Sequence, residues 1–377
     1  MNKLNNPFVM YGYKGKDYFC DRKEETRKII SSLQNENHIA LISPRRMGKT
    51  GLIQRVFEEM KETDSNSKCF YLDIYSTKNL GDFVNLFAQT VIGELDSLPQ
   101  KALRIAEEYF SRWRPKLEVD PITGMPSLSL DISEEESEKS LAQIFQYIKD
   151  SSCRCYIAID EFQQVTEYPE KNTEALLRSY IQFLPNAYFI FSGSKQHMLG
   201  EMFLSAKRPF FQGARMMNLE SINKKEYIDF ANSFYVKQGR AISEETFDYI
   251  YNVAKGVTWY IQSLLHTIYE HQEYAEISIE QVKKCLMETI ENQDSAYQNY
   301  CYWLTNNQFK LLKAIAKENF VTTPFAATFV KKHGLGGASS VKVALGSLVD
   351  KQLVYNNNGT YSVYDIFFQI WLNRGGK

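Results

Sequence analysis

No run of about 20 apolar residues, the length a helix needs to cross a bilayer, occurs anywhere in this chain. The opening stretch MNKLNNPFVMYGYKGKDYF lacks the apolar core and the small-residue cleavage site of a secretory leader. The expectation is therefore a cytoplasmic protein that does not engage a membrane. Cysteine is sparse: six in 377 residues, at Cys20, Cys69, Cys153, Cys155, Cys285 and Cys301, too scattered for the disulfide framework of a small secreted domain. They read as reduced thiols, and Cys153 with Cys155 lacks the CxxC spacing or nearby histidine of a zinc site. An excess of one charge is missing too, because 44 Lys and Arg stand against 45 Asp and Glu. That balance argues against a polyanion grip by the whole chain but leaves room for a local basic patch. Internal repeats and low-complexity tracts are also lacking.

What is present is an ordinary globular composition, 44% apolar and 14% aromatic, in a chain long enough for two or three domains. Short β-rich runs alternate with helical patterns over the first two thirds, the signature of a mostly parallel sheet covered by helices on both faces. The strand candidates are His38 to Ser43, Cys69 to Ile74, Tyr156 to Asp160, Tyr188 to Ser192 and Arg215 to Leu219. Leu52, Ile53, Val56, Phe57 and Met60 recur at helical spacing after the first strand. Lys116 to Ile132, with Pro121-Ile122-Thr123-Gly124 inside it, predicts a hairpin, and the acidic run Asp131 to Glu138 reads as a solvated helix start.

From about residue 221 helices take over, at Lys224 to Gln238, Ser243 to Lys255, Trp259 to Tyr274 and Ser278 to Gln293. Asn307 to Lys317, Pro324 to His333 and Ala338 to Lys351 then precede two strands, Leu353 to Tyr355 and Tyr361 to Tyr364, around Asn356-Asn357-Asn358-Gly359. Three helices and a hairpin are the parts of a winged helix. The expected division is 1–220, 221–300 and 301–377: an α/β nucleotide domain, a helical lid and a winged-helix domain.

Chemistry concentrates directly after the first strand, in Ser43-Pro44-Arg45-Arg46-Met47-Gly48-Lys49-Thr50, with Gly51 and a helix following. A strand, a tight loop and a helix start are what a phosphate cradle requires. Backbone N–H groups wrap the phosphates, the Lys49 ammonium meets the β and γ oxygens, and the Thr50 hydroxyl ligates magnesium. Gly48 lets the backbone approach a phosphate where a Cβ would crowd it, whereas the usual opening glycine is replaced by Ser43. The run CYIAIDEF, Cys155 to Phe162, is a buried strand ending in two carboxylates. Asp160 would hold magnesium through water and Glu161 would polarise the attacking water as general base. Alone, that pair reads equally well as a helix N-cap; downstream of a strand-borne GKT, the nucleotide reading is favoured. Ser192-Gly193-Ser194 ends another strand, where the small hydroxyl residues Ser192 and Ser194 could sense the terminal phosphate or place the water, or simply belong to a turn. The five histidines read as structural.

Together these residues resemble the archaeal-type ATPases of the STAND class (signal-transduction ATPases with numerous domains), among the AAA+ and related P-loop ATPases. The resemblance rests on Asn6-Pro7-Phe8, Phe19-Cys20-Asp21-Arg22, PRRMGKT, Ile159 to Gln163, the SGS tip, and the tail with Asp365 to Phe368 and Trp371-Leu372. It implies a sheet of order 5-1-4-3-2, ATP as ligand and Arg22 near the adenine end. The family usually has glycine where Ser43 and Asp21 stand, and a GxP turn where this chain has Gly256-Val257-Thr258. An arginine that neutralises the transition state remains unassigned, with Arg178, Arg208, Arg215 or one from a neighbouring subunit as candidates. The function expected is Mg-dependent ATP binding and slow hydrolysis driving a conformational switch, with self-association or another protein as partner. Nucleic acid is not favoured, since Ser339, Ser340, Lys342 and Lys351 are thin for phosphate contact. A DNA-binding ATPase and a non-hydrolysing scaffold are the alternatives.

Overall fold

The computed structural model describes residues 4–95, 114–119, 126–131, 136–273, 276–357 and 359–375. The chain gathers into two compact units, residues 11–227, and residues 228–377 together with residues 1–10.

In the first unit the strands are β1 (Ile39–Ile42), β2 (Ser67–Asp73), β3 (Arg114–Val119), β4 (Pro126–Asp131), β5 (Arg154–Asp160), β6 (Ala187–Gly193) and β7 (Arg215–Asn218). Five of them form one sheet in the order β2-β5-β6-β1-β7, every pairing parallel. Numbering only those five along the chain gives 5-1-4-3-2, as the family resemblance implies. Every residue of β1 and β6 is buried, as strands covered by helices on both faces must be. The covering helices include α1 (Lys23–Gln34), α2 (Lys49–Thr63), α3 (Leu80–Leu95), α4 (Ser137–Asp150), α5 (Thr173–Ile181) and α6 (Gln196–Leu204). Helix α2 buries Leu52, Ile53, Val56, Phe57 and Met60, the face its spacing predicts.

Strands β3 and β4 pair antiparallel from Arg114 opposite Asp131 to Val119 opposite Pro126, so the predicted hairpin forms. Its turn, Pro121 to Gly124, lies outside the described residues. Asp131 closes β4 rather than opening a helix, and α4 begins only at Ser137; residues 132–135 lie outside the described residues. Beyond β5, Phe162 packs on Phe191 with ring centroids 4.5 Å apart, and Phe203 and Phe210 close the cluster. This aromatic bed anchors the turn after Asp160 and so fixes what that turn carries.

Helix α7 (Lys224–Tyr235) passes into the second unit. There α8 (Glu244–Val253), α9 (Thr258–Glu270), α10 (Ile279–Glu291) and α11 (Asp294–Tyr302) precede α12 (Asn306–Glu318), α13 (Ala327–Lys332) and α14 (Ala338–Asp350). A hairpin of β8 (Val354–Asn357) and β9 (Thr360–Val363) follows, then α15 (Ile366–Asn373). Capping boxes start α10 at Ser278 and α12 at Thr305. Val321 pairs with Tyr361 of β9 through an isolated antiparallel bridge. Several predicted ends move inward. Helix α7 gives way to a 3-10 turn at Val236–Gln238, α9 stops at Glu270, and α13 starts after a turn closed by the Ala326 N–H on Thr323 O. Tyr274 and Asn358 lie outside the described residues.

Buried Gln369 joins elements of this unit. Its amide nitrogen donates to Ala316 O at 3.0 Å and to Asn319 Oδ1 at 2.8 Å, while its oxygen accepts from Lys255 Nζ at 3.0 Å. The N-terminal segment belongs here as well. Phe8 is fully buried, stacked on Tyr235 with centroids 5.2 Å apart, and its carbonyl meets His266 Nδ1 at 2.7 Å. Among the described residues no helix is long and apolar enough to cross a membrane.

Candidate active site

At the carboxyl edge of the sheet, β1 runs into the loop 43–48 and α2 begins at Lys49. Gly48 adopts a left-handed φ of 90°, which costs glycine nothing, and no side chain caps the helix it opens. The first N–H groups of α2 thus keep the anion-binding character of a helix start. Lys49 is buried and folds back over the loop: Nζ donates to Ser43 O at 3.1 Å, Pro44 O at 3.3 Å and Ser43 Oγ at 3.4 Å. Ser43, where the usual glycine is missing, lies fully buried with its hydroxyl inside this cradle. Burial pushes the Lys49 pKa down, the charges of Asp160 and Glu161 push it up, and Arg45 lowers it further, for a net decrease.

Arg22 supports the loop from behind. It is buried, donates to Met47 O at 3.3 Å and pairs with Glu25 at 2.9 Å. Phe19 packs closely over Gly51, where a Cβ would lie 3.1 Å from the Phe19 ring and the ring would have to shift by a few tenths of an ångström. Phe19 and Arg22, members of one predicted motif, therefore both brace the phosphate loop.

Asp160 ends β5 with both oxygens occupied. Oδ2 accepts from Thr50 Oγ1 at 3.0 Å and Tyr71 OH at 2.7 Å; Oδ1 accepts from Ser192 Oγ at 2.7 Å and from the Glu161 N–H at 3.0 Å. Lys49 and Thr50 are thus brought to the same sheet edge as Asp160, across 110 residues of sequence. Burial and the Asp160 charge push the Tyr71 phenol well up, keeping it a donor. Ser192 is fully buried and its hydroxyl is committed to Asp160, which makes it a group that orients that carboxylate.

Glu161 takes a left-handed backbone with φ 56°, rare for a residue with a side chain. Its Oε2 accepts from Gln163 Nε2 at 2.5 Å, Ser194 Oγ at 2.8 Å and Ser194 N at 3.4 Å. Gly193 makes this possible, since a Cβ there would come within 2.1 Å of Gln163 Oε1. Asp73, at the tip of β2 and opposite Asp160 in register, is a third carboxylate. Its pKa is raised by lost hydration and by Asp160 and Glu161, against the opposing Tyr75 N–H and Arg45.

Tyr71 and Asp73 are the residues the sequence reading missed; Ser194 and Gln163 stood inside its motifs, the latter without a role of its own. Of the candidate arginines, Arg208 is tied to Glu174 at 2.6 Å. Arg215 stands opposite Ile39 at the amino end of the sheet, and Arg178 acts electrostatically on His38, which immediately precedes β1. Arg178 and Arg215 thus belong to the end of the sheet opposite the Lys49–Asp160 edge, whereas Arg208 is held by an ion pair.

The family described as "ATPase domain predominantly from Archaea" matches residues 19–264. The chain belongs to this archaeal-type ATPase family. As a member of it, this protein is an ATPase, one that binds and hydrolyses ATP. A further family, described as "Probable winged helix domain", matches residues 295–374 of the archaeal-type ATPase. No curated protein matches the sequence. Among solved structures, the Walker-type ATPase of Pyrococcus abyssi shares 16% identity at a TM-score of 0.64, covering 97% of this chain and 99% of its own. The ORC2 protein of Aeropyrum pernix, in ADPNP–ADP complexes, shares 14% at a TM-score of 0.59, covering 97% and 96%. The ORC1 protein of the same organism, in complex with DNA, shares 12% at a TM-score of 0.57, covering 98% and 97%. At these identities the likeness is one of fold.

Proposed function

We propose that this archaeal-type ATPase is a cytoplasmic, Mg-dependent switch of the STAND kind, in which slow ATP hydrolysis alters the conformation presented to a protein partner or a second copy. The division 1–220, 221–300 and 301–377 into nucleotide domain, lid and winged helix is part of this reading. The observation that carries it is the convergence of Lys49, Thr50, Asp160 and Glu161, with Thr50 Oγ1 only 3.0 Å from Asp160 Oδ2. A hydroxyl and a carboxylate are hard oxygen donors of the kind that would hold magnesium, Thr50 directly and Asp160 through water. Such an ion, when bound, supplies charge neutralisation at the phosphates.

The chain's own groups divide the remaining work. Lys49 exchanges the carbonyls of Ser43 and Pro44 for phosphate oxygens, and the loop from Pro44 to Gly51 offers its N–H groups. Arg22 holds the loop's shape through Met47. Glu161, oriented by Gln163 and Ser194, takes a proton from the attacking water, while Ser192 and Tyr71 keep Asp160 aimed at the metal.

Phosphate release tests this reading. Glu161→Gln should bind ATP yet lose roughly 10² to 10⁴ in turnover, Lys49→Ala should lose ATP affinity, and chelation of magnesium should stop the wild type. Undiminished release by Glu161→Gln would overturn the assignment of the base.

The winged helix and the DNA-bound ORC1 relative favour a second reading, a DNA-binding ATPase. Exposed residues of α14 include Ser339, Lys342 and Val343, and those of the wing Asn356, Asn357 and Gly359. Few of these are cations, so phosphate grip would be modest. Retention on duplex DNA that falls as salt rises would support this reading; no retention at low salt would end it.

A further inference from the structure

We infer that Arg45, inside the phosphate loop, is the catalytic arginine that neutralises the terminal phosphoryl group during transfer, so that this chain needs no arginine from a second copy. The inference rests on the proposed ATP hydrolysis at this site and adds the residue that reading leaves unassigned.

Phosphoryl transfer spreads charge over the oxygens of the migrating group, and an arginine that meets this charge is worth 10³ to 10⁵ in rate. Several arginines of the α/β unit are placed by what they touch. Arg208 is bound to Glu174, Arg154 reaches Gln34 O and Glu36, and Arg55 pairs with Glu58 and Glu59 on its own helix. Arg22 is sealed behind the loop, and Arg178 and Arg215 belong to the amino end of the sheet.

Arg45 is placed differently. Its Nε lies 3.4 Å from Ser194 Oγ, and that same hydroxyl donates to Glu161 Oε2 at 2.8 Å. The guanidinium also lies 5.3 Å from the centroid of the Tyr75 ring, just beyond the tip of β2, and its charge is felt by both Lys49 and Asp73. Arg45 thus covers the gap between the lysine that would hold the terminal phosphate and the carboxylate that would activate water. The transferring group must pass through that gap. Tyr75 provides an aromatic face on which the guanidinium can rest, and Ser194 a neutral oxygen that phosphate can displace without leaving a buried charge unpaired.

The experiment compares wild type, Arg45→Ala, Arg45→Lys and Lys49→Ala in phosphate release, in affinity for ADP, and in capture of ADP with fluoroaluminate, a mimic of the migrating phosphoryl group. Arg45→Ala is expected to lower turnover at least 10²-fold, to keep ADP affinity within about threefold, and to lose the fluoroaluminate complex. Arg45→Lys should restore part of the turnover, because charge returns without the planar fork. Wild-type specific activity should not depend on protein concentration. Retained ADP affinity shows that the variants are folded.

Turnover and fluoroaluminate capture at wild-type levels in Arg45→Ala would overturn the inference. So would restoration of activity on mixing Arg45→Ala with Glu161→Gln, which would place the arginine in trans. If wild type and Lys49→Ala release phosphate equally, the hydrolytic site itself has been misassigned, and the role of Arg45 falls with it.

Discussion

His38 stands one residue before β1, and its Nδ1 accepts the Phe189 N–H at 3.1 Å, which only an unprotonated Nδ1 can do. Burial, and then the charge of Arg178, pushes its pKa down to about 4 from 6.5. A histidine depressed in the folded state contributes stability in full above the unfolded value of 6.5, and loses it as pH falls from there toward 4. At pH 5 the loss should be about 2 kcal/mol. His38→Asn can keep an acceptor near Nδ1 without the titration, so urea unfolding at pH 7.5 and pH 5 should show a smaller difference for the variant. Equal differences would dismiss His38 as the source. Residue by residue, the legibility of the site follows sequence distance. Lys49, Thr50, Asp160 and Glu161 sit in short motifs and could be named from them. Tyr71 meets Asp160 across 89 residues through the register of β2 on β5, and no local pattern marks such a partner.

Among the elements, the turn from β6 to α6 is the one most tightly specified by what it faces. Gly193 leaves room for the Gln163 amide, and that amide holds Glu161. Gly193→Ala should push Gln163 away and free the carboxylate, lowering turnover about tenfold or more while ATP affinity, set in the phosphate loop, changes little. A variant that loses affinity and turnover together would instead mean that the sheet edge itself had shifted. The strands were readable because parallel strands buried on both faces are continuously apolar, as Ile39 to Ile42 and Tyr188 to Phe191 are. Helix ends were less readable, because periodicity does not say where capping wins. The chain from Val236 to Gln238 keeps helical composition yet tightens into a 3-10 turn before Gly239 at φ 72°.

At the scale of the molecule, nucleotide binding should register as stability, since a ligand that binds only the folded state adds free energy by mass action. At a hundred times its dissociation constant ATP should contribute about 2.7 kcal/mol, raising the unfolding temperature by about 5–10 °C. Lys49→Ala should abolish that shift in a thermal melt. An equal shift in the variant would locate the ATP effect elsewhere on the protein. The sheet order was legible only through family resemblance, since strand sequence alone does not say which neighbour each strand takes. The placement of Phe8 among Phe230, Phe234, Tyr235 and Tyr269 has a bearing on biosynthesis. During synthesis the five strands are all available once Asn218 has emerged, yet Phe8 must wait, without its ring partners, until Tyr269 has been made.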